Sequence, residues 1–167
     1  MLNAVCSFTG HRTIPDAHRA TLPALLRRAI AYAYGEGCRD FCTGGALGFD
    51  TMAAREVLLF RLQHPDVRLL LYLPCVDQDG KWHKKEKDAY RYLLGMADEV
   101  HYIENTYTPD CMRRRNQCLA DVCDMMIAYV GHTRSGAAQT VSMVKRLGKT
   151  VYNLYTAADA PGEETPS

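Results

Sequence analysis

The 167-residue chain has no apolar run approaching the ~18 residues that a membrane-crossing helix needs, and its start shows no basic, apolar and small-residue succession of the secretory kind. The expectation is a cytoplasmic protein with no membrane partner. No two of its seven cysteines (Cys6, Cys38, Cys42, Cys75, Cys111, Cys118, Cys123) are spaced C-x-x-C, and an odd number cannot all pair. Reduced thiols and no structural metal are therefore expected. Charge of one sign is lacking too: 20 Lys and Arg stand against 19 Asp and Glu, a net charge of +1. No global field exists to coat nucleic acid, so any anion must be bound locally. There is no internal repeat and no linker, and neither a G-x-G-x-x-G nor a Walker loop occurs.

What is present is alternation. Strand-like runs cover Ala4 to Thr9, Arg39 to Thr43, Arg68 to Pro74, Glu99 to Ile103, Met125 to Tyr129 and Thr150 to Leu154. Runs of helical period separate them: Ala17 to Glu36, Phe49 to Gln63, Lys81 to Met96, Asp110 to Val122 and Ala137 to Leu147. Parallel strands need crossover connections, and a strand buried on both faces reads as a continuous apolar run such as "VRLLLYL". The expected fold is α/β, a Rossmann-like doubly wound, mostly parallel sheet with helices on both faces. One domain is expected over residues 1–156. The stretch "AADAPGEETPS", residues 157–167, is poor in apolar residues and is expected to be a disordered tail.

Ligands of such sheets bind beyond the carboxyl ends of the strands, near the point where strand order reverses. Four connections stand out. "SFTGHR" (Ser7 to Arg12) closes the first strand and presents Gly10, His11 and Arg12, the last able to grip phosphate with two parallel hydrogen bonds. "CTGGALGFD" (Cys42 to Asp50) places Gly44, Gly45 and Gly48 before a helix, where backbone amides favour a phosphate; Asp50 would face a ribose hydroxyl or cap the loop. "PCVDQDGKWHKKEKD" (Pro74 to Asp88) carries the single tryptophan, Trp82, a candidate to stack on a base. His83 and Glu86 lie one turn apart, a spacing that suits a metal pair but more often a solvated face. "HTRSGAAQTV" (His132 to Val141) offers Ser135 as a cap and leaves Gly136 and Ala137 uncovered at a second helix start. Before the fifth strand, Arg113, Arg114, Arg115 and Asn116 crowd one turn. Three consecutive arginines cannot share one helix face, so at most one or two reach a common ligand.

Taken in order, S-F-T-G-H-R, T-G-G-A-L-G-F-D, P-C-x-x-Q-x-x-x-W, Y-x-x-x-x-M-x-x-R-N and S-G-A-A-x-T resemble the YpsA-like branch of the SLOG superfamily, from Ser7 to Thr140. That superfamily also includes the DNA-uptake protein DprA and the LOG-type phosphoribohydrolases. The resemblance implies a pocket for a nucleotide or an ADP-ribose-like ligand, with Gly10, His11, Arg12, Gly44, Gly45, Gly48, Asp50, Trp82, Arg115, Asn116, Ser135, Gly136 and Ala137 as its binding residues. It also implies a bacterial protein of cell-division and stress contexts, able to engage a protein partner or a second copy of itself.

The LOG-type signature P-G-G-x-G-T-x-x-E is missing from the last loop, which reads "HTRSGAAQTV". Cleavage of a ribosyl bond needs a group that stabilises the oxocarbenium-like centre or activates water, and Asp50 is the obvious carboxylate to do so. A nucleotide-binding sensor is therefore favoured over the alternative, a phosphoribohydrolase using Asp50. The near-zero net charge and the lack of aromatics among the arginines argue against a DprA-like grip on single-stranded DNA.

Overall fold

The computed structural model describes residues 4–159, and every strand-like run takes its place in one sheet. The strands are β1 (Ala4–Gly10), β2 (Cys38–Thr43), β3 (Arg68–Cys75), β4 (Glu99–Glu104), β5 (Met125–Tyr129) and β6 (Thr150–Asn153). They lie in the order β4-β3-β2-β1-β5-β6, and every neighbouring pair is parallel. The chain winds outward from β1 to β4, then returns to the other side of β1 to start β5. Strand order thus reverses between β1 and β5, and β2 and β5 flank the central strand.

Alternate side chains of the central strands enter different cores, as the pleat requires. Cys6 and Phe8 of β1, Leu69, Leu71 and Leu73 of β3, and Ile127 and Tyr129 of β5 join the larger core. Leu70 of β3 and Met126 and Ala128 of β5 go to two smaller cores on the other side. The larger core is covered by α2 (Leu22–Gly35), α3 (Phe49–Gln63) and α4 (Lys84–Met96), the smaller ones by α5 (Cys111–Val122) and α6 (Gly136–Arg146). This is a Rossmann-like α/β fold with helices on both faces. Each fully buried Leu or Phe in it contributes about 1.5 to 3 kcal/mol.

Three boundaries differ from expectation, each for a local reason. The first helical run is cut at Thr21 into α1 (Asp16–Arg19) and α2, because Pro23 in the first turn of α2 has no amide to continue the preceding helix. The run from Lys81 starts its helix at Lys84, where His83 and Glu86 form a reciprocal capping box; those two side chains serve the helix start. The expected disordered tail needs correction at residues 157–159, which form part of α7 (Tyr155–Asp159) with Ala158 only 5% exposed; the rest of it lies outside the described residues.

Candidate nucleotide site

The connections after β1, β2 and β5 meet at the point of strand reversal. The β1 connection is stitched to both others through His11, whose amide donates to the Tyr129 carbonyl at 3.1 Å and whose carbonyl accepts from the Phe49 amide at 3.1 Å. Two glycines permit this approach. A Cβ on Gly10 would lie 2.4 Å from the Phe49 ring, and one on Gly48, held at φ 77°, would lie 2.1 Å from the Arg12 carbonyl oxygen.

The glycine loop then closes on itself. Its amides at Gly45 and Ala46 donate to Thr43 Oγ1 at 3.5 Å and to Asp50 Oδ2 at 3.2 Å. Both donors are therefore already used inside the loop. From α5, Arg115 Nη1 donates to the Gly44 carbonyl at 2.6 Å, and its Nε donates to Asn116 Oδ1 at 2.8 Å.

Asp50 and Arg115 are 6% and 5% exposed, and both line a cavity of about 530 Å³. Burial pushes the Asp50 carboxyl up to about 6, against the opposing pull of Arg115, the Ala46 amide and Arg12. Burial also lowers the Arg115 guanidinium from its usual value, while Asp50 raises it. Among the residues lining this cavity, Asp50 is the one carboxylate.

At the same cavity begins α6. Ser135 caps it, its Oγ accepting from the Ala138 amide at 3.0 Å, and the amides of Gly136 and Ala137 are among those for which a helix has no internal partner. Asn116 Nδ2 lies beside Gly136, 3.6 Å from where a Cβ would stand. The positive end of α6, the Asn116 amide and the Arg12 guanidinium thus border one space that suits an anion. At its rim His11 and His132 stack at 4.1 Å with their planes 5° apart. His11 Nε2 accepts from the Gly131 amide at 2.8 Å, and burial, then the neighbouring His132, holds the ring below its usual pKa. His11 is therefore favoured as the neutral imidazole.

Of the sequence candidates, Gly10, His11, Arg12, Asp50, Arg115, Asn116, Ser135, Gly136 and Ala137 line this cavity together. Gly44, Gly45 and Gly48 support it from behind without lining it. Trp82 lies apart from it: its half-buried ring packs against the core and meets Tyr90 at 5.0 Å with the planes 73° apart. A stacking role for Trp82 in this cavity is corrected accordingly. Arg114 turns outward to Glu104, which leaves Arg115 as the one of the three arginines directed inward.

Met112, Pro15, Tyr155 and His132, none of them a candidate from the sequence, also line the space. The signal for Met112 was present, since Met112, Arg115, Asn116 and Leu119 follow i, i+3, i+4, i+7 on one face of α5. Among the described residues, no group of three His, Cys, Asp or Glu side chains could hold a metal ion, and no helix is long and apolar enough to cross a membrane. All seven cysteines are free.

Comparison with solved structures places this architecture beside DNA processing protein A (DprA). The Streptococcus pneumoniae protein superposes with a TM-score of 0.65 at 16% identity, over 98% of this chain and 52% of its own. The Helicobacter pylori DprA, described for its single-stranded DNA binding mode, gives 0.65 at 16% identity over 90% and 65%. The present chain thus spans about half to two-thirds of those chains, and at such identity the likeness is one of fold. An uncharacterised SPbeta prophage-derived protein, YoqJ of Bacillus subtilis, is 27% identical over 129 residues, 69% of this chain and 75% of the relative. The YpsA family model, described as the YspA SLOG family, matches residues 12–156 and so takes in all of the cavity-lining residues from Arg12 onward. By that match, the chain belongs to the YspA SLOG family.

Proposed function

We propose that the chain binds a nucleotide-type ligand and acts as a sensor. The phosphate sits at the start of α6 against the Gly136 and Ala137 amides, Asn116 and Arg12; the ribose faces Asp50; the base lies toward His11, His132 and Met112. One observation carries this: a buried carboxylate and a buried guanidinium, Asp50 and Arg115, share a cavity with the uncovered amides of a helix start. Carboxylates accept from ribose hydroxyls and helix amides hold phosphate, so the two demands of a nucleotide are met within one cavity. A sensor of this kind acts through a partner protein or a second copy of the chain, and the ligand must bind two conformations unequally. The reduced thiols suit a cytoplasmic setting.

Mass spectrometry of small molecules released by denaturing the purified protein tests the reading. A retained nucleotide or ADP-ribose-like compound is expected. No retained compound, together with no calorimetric affinity for any common nucleotide, would refute it.

A second reading has its own support in Asp50, whose carboxyl titrates near 6 beside the cavity. Such a group can give a proton to a departing base or take one from an attacking water near neutral pH, which is the chemistry of N-ribosyl hydrolysis. Release of free base from a nucleoside monophosphate, lost in Asp50→Asn, would establish the hydrolase instead. Single-stranded DNA, named for the Helicobacter DprA, is the least supported ligand at a net charge of +1. A steep fall of DNA affinity with salt would be its signature.

A further inference from the structure

Two cavities meet at Arg12. Beside the site already described lies a second one, of about 970 Å³, between the β1 connection, α3 and α4; Arg12 and Thr13 line both. Its charged lining comprises Arg12, Arg19, Arg55, Lys85, Glu56 and Glu86. Of its two carboxylates, only Glu56 is neutralised by a cation outside the cavity. Glu56 accepts from Arg27 at 2.9 and 3.3 Å, and Glu86 accepts from the His83 amide at 3.1 Å. Arg19 is paired with Asp16 at 3.5 Å. Among the described residues, Arg12, Arg55 and Lys85 have no carboxylate partner.

Cations gathered in a concave space repel one another, and low-dielectric walls focus their field on whatever anion enters. A nucleoside monophosphate seated at α6 uses only the first cavity and leaves Arg55 and Lys85 idle. Two adjacent phosphates would both fall at the α6 seat. An anion at Arg55 and Lys85 must therefore be separated from the first by an intervening group, and Arg12 stands between the two. The second cavity has no aromatic side chain on which successive bases could stack, so it fits a phosphate better than a nucleic-acid strand.

Building on the phosphate seat proposed above, we propose that the ligand carries a phosphate on each side of its ribose, the second held by Arg55 and Lys85. The chemical class is a nucleoside bisphosphate or the equivalent unit of a small dinucleotide.

Calorimetry with the 5′-monophosphates and the 3′,5′-bisphosphates of adenosine, guanosine, cytidine and uridine decides it. For the preferred base, the bisphosphate is expected to bind about tenfold tighter or more, the scale of a charge-assisted contact. In an Arg55→Gln, Lys85→Gln double variant, bisphosphate affinity should fall to that of the monophosphate, whose own affinity stays unchanged. Equal binding of the two ligands by the unaltered protein, or equal losses in the variant, would overturn the second seat and leave the first intact. Failure of every compound to bind would overturn both. A dinucleotide arm separates the sources: tighter binding than the bisphosphate assigns the ligand to the dinucleotide, and weaker binding to the free bisphosphate.

Discussion

Arg115 occupies the space that a side chain on Gly44 would fill: its Nη1 lies 2.6 Å from the Gly44 carbonyl oxygen and 2.5 Å from the position of an added Cβ. The absence of a side chain on strand β2's outgoing connection is thus what lets a buried guanidinium reach the floor of the cavity. Through this contact α5 and the glycine loop are held as one unit, and Arg115 in turn fixes Asn116 beside α6.

Gly44→Ala should therefore do two things at once. The methyl group meets the guanidinium of a 5% exposed side chain, so overpacking of about 1 to 3 kcal/mol is expected, read as a lower urea midpoint. The displaced Arg115 also releases Asn116, and nucleotide affinity should fall with stability. A variant as stable as the parent would show that Arg115 has room to move and that the contact is incidental.

The pH dependence of stability should carry the mark of Asp50. Its carboxyl titrates at 3.8 in the ordinary case and at about 6 in the fold, so between those values the folded state holds a proton that the unfolded state has lost. The contribution is complete below 3.8 and disappears as pH rises through about 6, an amount bounded by about 3 kcal/mol on the scale of 1.4 kcal/mol per pH unit. His11 works in the opposite sense, since its lowered pKa costs stability as pH falls. Comparing urea midpoints of the parent and Asp50→Asn across this range isolates Asp50: the variant should lose less stability than the parent on going from the acid side to neutrality. Parallel profiles would mean that Asp50 is ordinary in the fold.

Most of the architecture was legible because short apolar runs alternate strictly with longer segments of helical period, which is the pattern of a parallel sheet covered on both faces. In "VRLLLYL", Val67, Leu69, Leu71 and Leu73 enter one core and Leu70, with Tyr72 against it, enters another; Arg68 is the one charged position. What escaped was decided by contacts across the fold. α7 follows β6 after the single residue Leu154 and opens a polar stretch, yet Ala158 packs into the core and Asp159 reaches His18 at 3.2 Å, His18 being hydrogen-bonded at 2.5 Å to the buried Tyr129. Trp82 is the only tryptophan, but its surroundings in the fold are Tyr90 and the core, away from the cavity. Of three consecutive arginines, only the helix phase relative to Gly44 selects Arg115.

The glycine loop also changes which substitution reports on ligand binding. Gly45→Val would test a phosphate cradle only if the Gly45 amide were free, and that amide faces Thr43 Oγ1. Gly45 holds φ 65°, and an added Cβ would lie 2.5 Å from Leu73. The variant should fail by destabilisation, with strain from the positive φ adding about 1 kcal/mol or more to the clash, and circular dichroism should show a lowered melting temperature. A folded Gly45→Val protein with parental stability would contradict this placement of the loop.

Gly136 is the position where binding and folding part company. Its φ is not in the left-handed region, and an added Cβ would meet only Asn116 Nδ2 at 3.6 Å, an ordinary contact. At the first position of α6 a methyl group costs the helix nothing and reduces the freedom of the unfolded chain, so the melting temperature of Gly136→Ala should be unchanged or slightly raised. The same methyl group stands over the amides of the helix start, where the phosphate is proposed to approach, and blocks one charge-assisted hydrogen bond to it. Loss of such a bond corresponds to about 1.5 to 3 kcal/mol, roughly a tenfold to hundredfold weaker affinity. Calorimetry on a variant whose stability has first been shown intact therefore reads the seat alone. If Gly136→Ala binds nucleotide as tightly as the parent, the phosphate does not sit at α6, and the anion must instead be held by Arg12 and Asn116 away from the helix start.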